Sequence, residues 1–180
     1  LLSITIPAGE LWDERTERFV YTKQQTIKLE HSLVSLSKWE SKWCKPFLTK
    51  REKTTEEILD YFRCMTITQN VSDAIYYNLT PDNIKDITDY INSPMSATTI
   101  TNRSPKRGSR EQITSELIYY WMVAFRIPFE CEKWHLNRLM NLIRICEIKT
   151  QKPKKRSNRD VLNEYAAINA ARQKMYNTKG

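Results

Sequence analysis

The sequence predicts an α+β fold that is mainly α: a short N-terminal hairpin or small sheet, a helical body and a C-terminal helical arm. Three observations carry this. Only 3 of the 180 residues are glycine, so tight β-turns are scarce. Apolar residues alternate with polar ones near the N-terminus and afterwards recur at helical spacing. Capping residues, prolines and charge then punctuate a series of helix-length segments. A composition of 40% hydrophobic and 28% charged residues suits a chain with a real core.

Leu2, Ile4 and Ile6 alternate with smaller or polar residues, and Pro7-Ala8-Gly9 stops the run. Leu11-Trp12 and Phe19-Val20-Tyr21 flank the polar stretch DERTER, the pattern of a hairpin, and Thr26–Leu29 adds a short strand. A sheet of two to four strands is expected over 1–31. In SLSKWESKW, the residues Leu33, Leu36, Trp39 and Trp43 share one helical face. Ser32 or Ser35 caps this helix, and Pro46 ends it. Both tryptophans are expected mostly in the core, with a ring edge of Trp39 or Trp43 as the candidate contact to another chain.

Thr54, followed by Glu56 and Glu57, opens a second helix whose apolar face is Ile58, Leu59, Phe62 and Met65. Thr80-Pro81 opens a third, with Ile84, Ile87, Tyr90 and Ile91 as its stripe. Residues 96–108 lack periodicity and predict a flexible loop. Ser109–Arg126 predicts the most hydrophobic helix, apolar almost all round and therefore central and buried. Phe129–Cys146 predicts one further helix. These segments make a globular domain over 1–148, with a helical body at 32–148.

Residues 149–180 differ from the rest. They hold nine Lys and Arg against Asp160 and Glu164, so this segment carries +7 of the net +8. The linker includes Lys154, Lys155 and Arg156. An amphipathic, alanine-rich helix follows. Charge that steers and a helix face that docks together suit protein binding. The candidate contact residues are Arg159, Tyr165, Ile168, Arg172 and Met175, with Lys154, Lys155 and Arg156 as steering charge. The alternatives at this point are an arm that packs on its own body and an arm that neutralises nucleic-acid phosphates.

No catalytic, cofactor-binding or metal-binding residues are expected. There is no G-x-S-x-G, H-E-x-x-H, P-loop or G-x-G-x-x-G pattern. Cys131 and His135 share a face if they lie on one helix, but the sequence offers no group to orient them. Asp82, Asp86 and Asp89 read as a solvated helix face. Cys44, Cys64, Cys131 and Cys146 form no C-x-x-C pair and are expected to be reduced core residues. No apolar run approaches the ~20 residues of a membrane span, and no membrane partner is expected. The start LLSITIPAGELWDE lacks the positive region of a signal peptide.

In order, the chain reads FVYT, LEHSLVSLSKWESKW, CMTITQNV, ELIYYW, IPFECEKWHLNRL and a basic arm ending NAARQKMYNTKG. This series resembles, along essentially the whole chain, a tail assembly chaperone-like family encoded by tailed phages and prophages of Gram-positive bacteria. The resemblance implies a non-enzymatic protein that holds the tape-measure protein or other tail proteins, with self-association as a further mode. It implies work in the bacterial host cytoplasm during assembly, or a place in the virion. It brings no catalytic residues. A structural protein of the tail or head–tail junction, and a nucleic-acid-binding accessory protein using the basic arm, are the alternatives.

Overall fold

The computed structural model describes residues 1–13, 17–98, 112–150 and 158–176. It divides into two compact units, Leu1–Glu147 and Ile148–Gly180. The loop expected over 96–108 lies mostly outside the described residues, as does the basic linker.

Strands β1 (Leu2–Ile6) and β4 (Gln25–Leu29) pair antiparallel, with Ile4 opposite Ile27. Ile4, Ile6, Ile27 and Leu29 point into the core, while Ser3, Thr5, Thr26 and Lys28 are exposed. The period of two seen in the sequence is thus one wet and one dry face. Strands β2 (Gly9–Asp13) and β3 (Arg18–Thr22) form a second antiparallel pair between them in the chain. The strand region is therefore two separate two-stranded sheets. At Gly9 the side chain of Asn78 comes so close that a Cβ would meet it at 2.5 Å. That close approach excludes a larger residue unless Asn78 moves.

Helix α1 (Leu33–Trp43) starts at Ser32, whose side chain closes a reciprocal capping box with Ser35. It ends at Cys44 in a left-handed conformation, φ 50°, two residues before Pro46. Helices α2 (Thr55–Met65) and α3 (Pro81–Asn92) start at Thr54 and Thr80, each with a capping box of the same kind. Leu59, Phe62 and Met65 are buried as their spacing predicts, whereas Ile58 and Ile84 are exposed. A 3₁₀ segment at Asp73–Asn78 buries Ile75 and Tyr76. It had no periodic signal in the sequence.

Helix α4 (Ser115–Ala124) corrects the expectation of a buried central helix. Its start is Thr114, not Ser109. Ile118 and Met122 are fully buried, but Tyr120 is 65% and Val123 60% exposed. Apolar composition all round a helix does not supply neighbours on every side. The body covers only one face.

The single helix expected over Phe129–Cys146 is also corrected. It is a 3₁₀ segment (Phe129–Lys133), an extended Trp134, and then α5 (Leu136–Thr150). His135 bridges to Ser32, and the Leu136 N–H donates to the His31 carbonyl at 2.7 Å. This pairing with the β4–α1 junction takes backbone groups that a continuous helix would have used internally.

The core joins the β1–β4 sheet to α1, α2, α3, α4 and α5. In the second unit, α6 spans Asn158–Tyr176.

Candidate functional site

A continuous series of ring contacts in the body starts from the two tryptophans. Trp39 is fully buried, and its Nε1–H donates to the Glu57 carbonyl at 2.8 Å. Trp39 is thus in the core as expected and is corrected as a candidate contact to another chain: a ring with no exposed surface holds α1 to α2. Trp43, one turn on, is half-buried and donates through Nε1 to Asp60 Oδ2 at 2.8 Å. The two rings stack at 6.0 Å. The series continues through Phe47, edge-on to Trp39 at 5.0 Å, and Tyr61, stacked on Phe47 at 3.8 Å. Tyr61 reaches His31, and His31 meets His135 at 5.1 Å. Offset and edge-on rings like these favour one packing arrangement over others.

Buried acids fix the same region. Glu57 accepts from Lys45 at 2.9 Å and from Arg51 at 2.8 Å, and its other oxygen takes the Thr54 N–H. The bonds from Lys45 and Arg51 hold its carboxyl at about 2, well below the usual range. For Asp60, burial opposes the charge, but bonds from Lys42 and Trp43 win and its pKa is lowered. Glu40 is buried and accepts two backbone N–H groups, from Phe47 at 2.8 Å and Ser115 at 2.7 Å. One carboxylate therefore caps α4 and pins the turn after α1. Of these acids the sequence marked only Glu57, through its cap with Thr54; the roles of Glu40 and Asp60 depend on partners as far as 75 residues away.

The two histidines are structural in the same sense. His31 Nδ1 lies 2.6 Å from the Tyr61 hydroxyl. His135 Nδ1 accepts from the Asn137 N–H at 3.3 Å, which leaves Nε2–H to donate to the Tyr90 carbonyl at 3.0 Å. Burial, then the nearby His135, push His31 down to about 3. Burial likewise lowers His135. Both rings are thus neutral at pH 7. Cys131 and His135 do not share a helical face, since Cys131 lies in the 3₁₀ segment and His135 in the extended bridge.

All four cysteines are free, three of them in or against the core as expected, and Cys44 departs from the expectation. Cys131 alone is buried, Cys64 and Cys146 are half-buried, and Cys44 is exposed. Cys44 closes α1 instead of packing under it. Burial pushes the Cys64 thiol up to about 11. Asp82, Asp86 and Asp89 are exposed along α3, and no metal-ligand cluster forms among the described residues. No helix among the described residues is long and apolar enough to cross a membrane.

The described part of the body carries a groove of ≈ 400 Å³ between α4 and α5, walled by Trp121, Phe125, Met140 and Ile143 with Asn141, Arg144 and Glu147. A second apolar surface is the outer face of the β2–β3 ribbon. There Trp12 packs edge-on against Phe19 at 4.8 Å while both rings are more than half exposed.

The predicted contact residues of the arm fall on α6. Tyr165, Ile168, Arg172 and Met175 are all exposed, as are Leu162 and Tyr176. Arg159 lies in the first turn of α6. Lys154, Lys155 and Arg156 lie outside the described residues. The structure thus places these four along one helix of the second unit, while Trp39 and Trp43 belong to the first.

Comparisons of the chain with protein-family models, with curated proteins and with solved structures found no match.

Proposed function

We propose that this chain is a non-enzymatic tail morphogenesis protein, a tail assembly chaperone that holds the tape-measure protein or another tail protein through its C-terminal arm. The observation that carries the reading is α6: a 19-residue helix whose described side chains are all exposed, Tyr165, Ile168 and Met175 among them. A helix with exposed apolar residues and a basic approach segment is built to meet another surface. The family resemblance of the sequence motifs supplies the identity of that surface. The buried Glu40, Glu57, Asp60, His31 and His135 of the body are engaged in capping and in bonds between elements, which suits a structural role for them.

The test compares the full chain with a chain lacking 149–180 as bait in phage-infected cells. Capture is done with nuclease present, at low and moderate salt. Recovery of a tape-measure or tail-tube protein by the full chain at both salts, and its loss on truncation, is the expected result. Circular dichroism checks that the truncated body remains folded. Equal recovery by the truncated chain refutes the role of the arm.

One observation favours a second reading. The segregation of +7 of the net +8 into 149–180 suits phosphate binding. It predicts capture of nucleic acid that vanishes with salt or nuclease.

A further inference from the structure

Helix α5 is held more lightly than α2. Of its fifteen residues Leu136, Leu139 and Ile143 are buried, against six of eleven in α2. A cluster of polar bonds ties down its start. The Leu136 N–H donates to the His31 carbonyl at 2.7 Å, and His135 Nε2–H donates to the Tyr90 carbonyl at 3.0 Å. The Asn137 side chain donates to the Ile91 and Ser93 carbonyls at 2.9 and 2.8 Å. These bonds join the start of α5 to the β4–α1 junction and to the end of α3. Elements with little buried surface open most readily, so the cluster governs how often α5 comes away.

Two neutral histidines keep the cluster intact. His135 Nδ1 accepts the Asn137 N–H at 3.3 Å, and a proton on Nδ1 would set two N–H groups against each other. His31 is 2% and His135 6% exposed, with the rings edge-on at 5.1 Å. A charge on either ring is therefore desolvated, and charges on both repel. Around the pair stand the Tyr61 hydroxyl of α2, 2.6 Å from His31 Nδ1, and the Tyr90 ring of α3. Glu30 favours a proton on His135 and the Leu1 amino group disfavours it; both bond the Tyr90 hydroxyl. Burial outweighs Glu30 and lowers His135, as it lowers His31. We propose that the His31–His135 pair is an acid-sensitive latch: a proton on either ring breaks these bonds and opens the start of α5 while α1 and α2 stay packed. The latch lies within the body and stands apart from the reading of the arm.

Amide hydrogen exchange of the full chain, read by NMR at pH 7 and pH 5 with and without low urea, tests the latch. Opening returns His31 to water, and its pKa from about 3 to near 6.5. The opening constant at the Leu136 and Asn137 amides should therefore rise about twentyfold between the two pH values. It should be almost independent of urea, since a local opening exposes little surface. The Phe62 amide, inside α2, reports global unfolding, which takes up the same protons and so also rises with acid. Its opening constant should be about tenfold or more smaller than that of Leu136 and should grow with urea. His31→Asn together with His135→Asn should hold the Leu136 opening constant within about threefold from pH 7 to pH 5. Equal opening constants and urea slopes at Leu136 and Phe62 overturn the latch, because α5 then opens only with the whole body. So does a urea-insensitive opening at Leu136 that acid leaves unchanged, and so does an acid response that survives the double variant. Where circular dichroism shows the double variant unfolded, the pH and urea comparison on the parent chain decides.

Discussion

Glu40 is the residue whose removal should be felt furthest. Its carboxylate is buried, and each oxygen is taken by a backbone N–H: Phe47 at 2.8 Å, in the turn after α1, and Ser115 at 2.7 Å, at the start of α4. Ser115 is the first helical residue of α4, so the negative charge also lies against the positive end of that helix. Glu40→Ala removes both acceptors and leaves two N–H groups without them. At about 1.5–3 kcal/mol for each bond to a charged group, with some recovery by water at Phe47, the loss is about 3–5 kcal/mol. Glu40→Gln keeps one acceptor but turns an NH₂ toward the other N–H, for a loss of about 1.5–3 kcal/mol. Urea denaturation of both variants, with the exposed Glu52→Gln as control, measures the difference at constant m. Hydrogen exchange should also show lost protection at the Ser115 and Phe47 amides. A Glu40→Ala variant within about 0.5 kcal/mol of the parent would refute the reasoning, because substitutions without structural consequence usually stay in that range.

Trp39→Phe should cost about 2–4 kcal/mol, since it removes buried ring volume and the donor to the Glu57 carbonyl. Trp43→Phe, at a half-buried site, removes the donor to Asp60 Oδ2 and should cost about 1.5–3 kcal/mol in the same denaturation series. Cys44→Gly should stabilise by about 0.5–1 kcal/mol in a thermal melt, because the exposed Cys44 holds φ 50° and glycine adopts that conformation without a Cβ clash. Stability should fall with acid. His31 is held at about 3 in the folded chain against an unfolded value near 6.5, so the unfolded chain binds more protons between those values. The contribution is complete above pH 6.5 and is lost as pH falls toward 3, with His135 adding in the same direction. Melting temperatures from pH 7.5 to 5 should drop, and His31→Gln should flatten the slope.

The elements whose stabilising contacts are local were legible. Ser32, Thr54 and Thr80 each bond the N–H three residues on, so short segments define these starts. The alternation of Ile4 and Ile6 likewise needs only a sheet with one dry face. Reading failed where a distant residue decides. The break at Trp134 and His135 depends on His31 and Ser32, about a hundred residues earlier in the chain. The one-sided exposure of α4 depends on which neighbours exist. The acid clamps at Glu40 and Asp60, and the bonds of Lys45 and Arg51 to Glu57, carry no sequence pattern, since an acid on a helix reads as surface until its donors are placed around it.

By itself, the sequence determined the class, α+β and mainly α, the caps that start the helices, and the concentration of charge in 149–180. These follow from backbone preference, periodicity and composition, which are properties of neighbouring residues. The tertiary structure decided that Trp39 is a core donor and not a contact, that the strands form two separate sheets, and that Glu40 joins α1 to α4. It also decided that Tyr165, Ile168, Arg172 and Met175 stand exposed on one helix. Burial and hydrogen-bond partnership depend on residues far apart in the chain, and only folding brings those together.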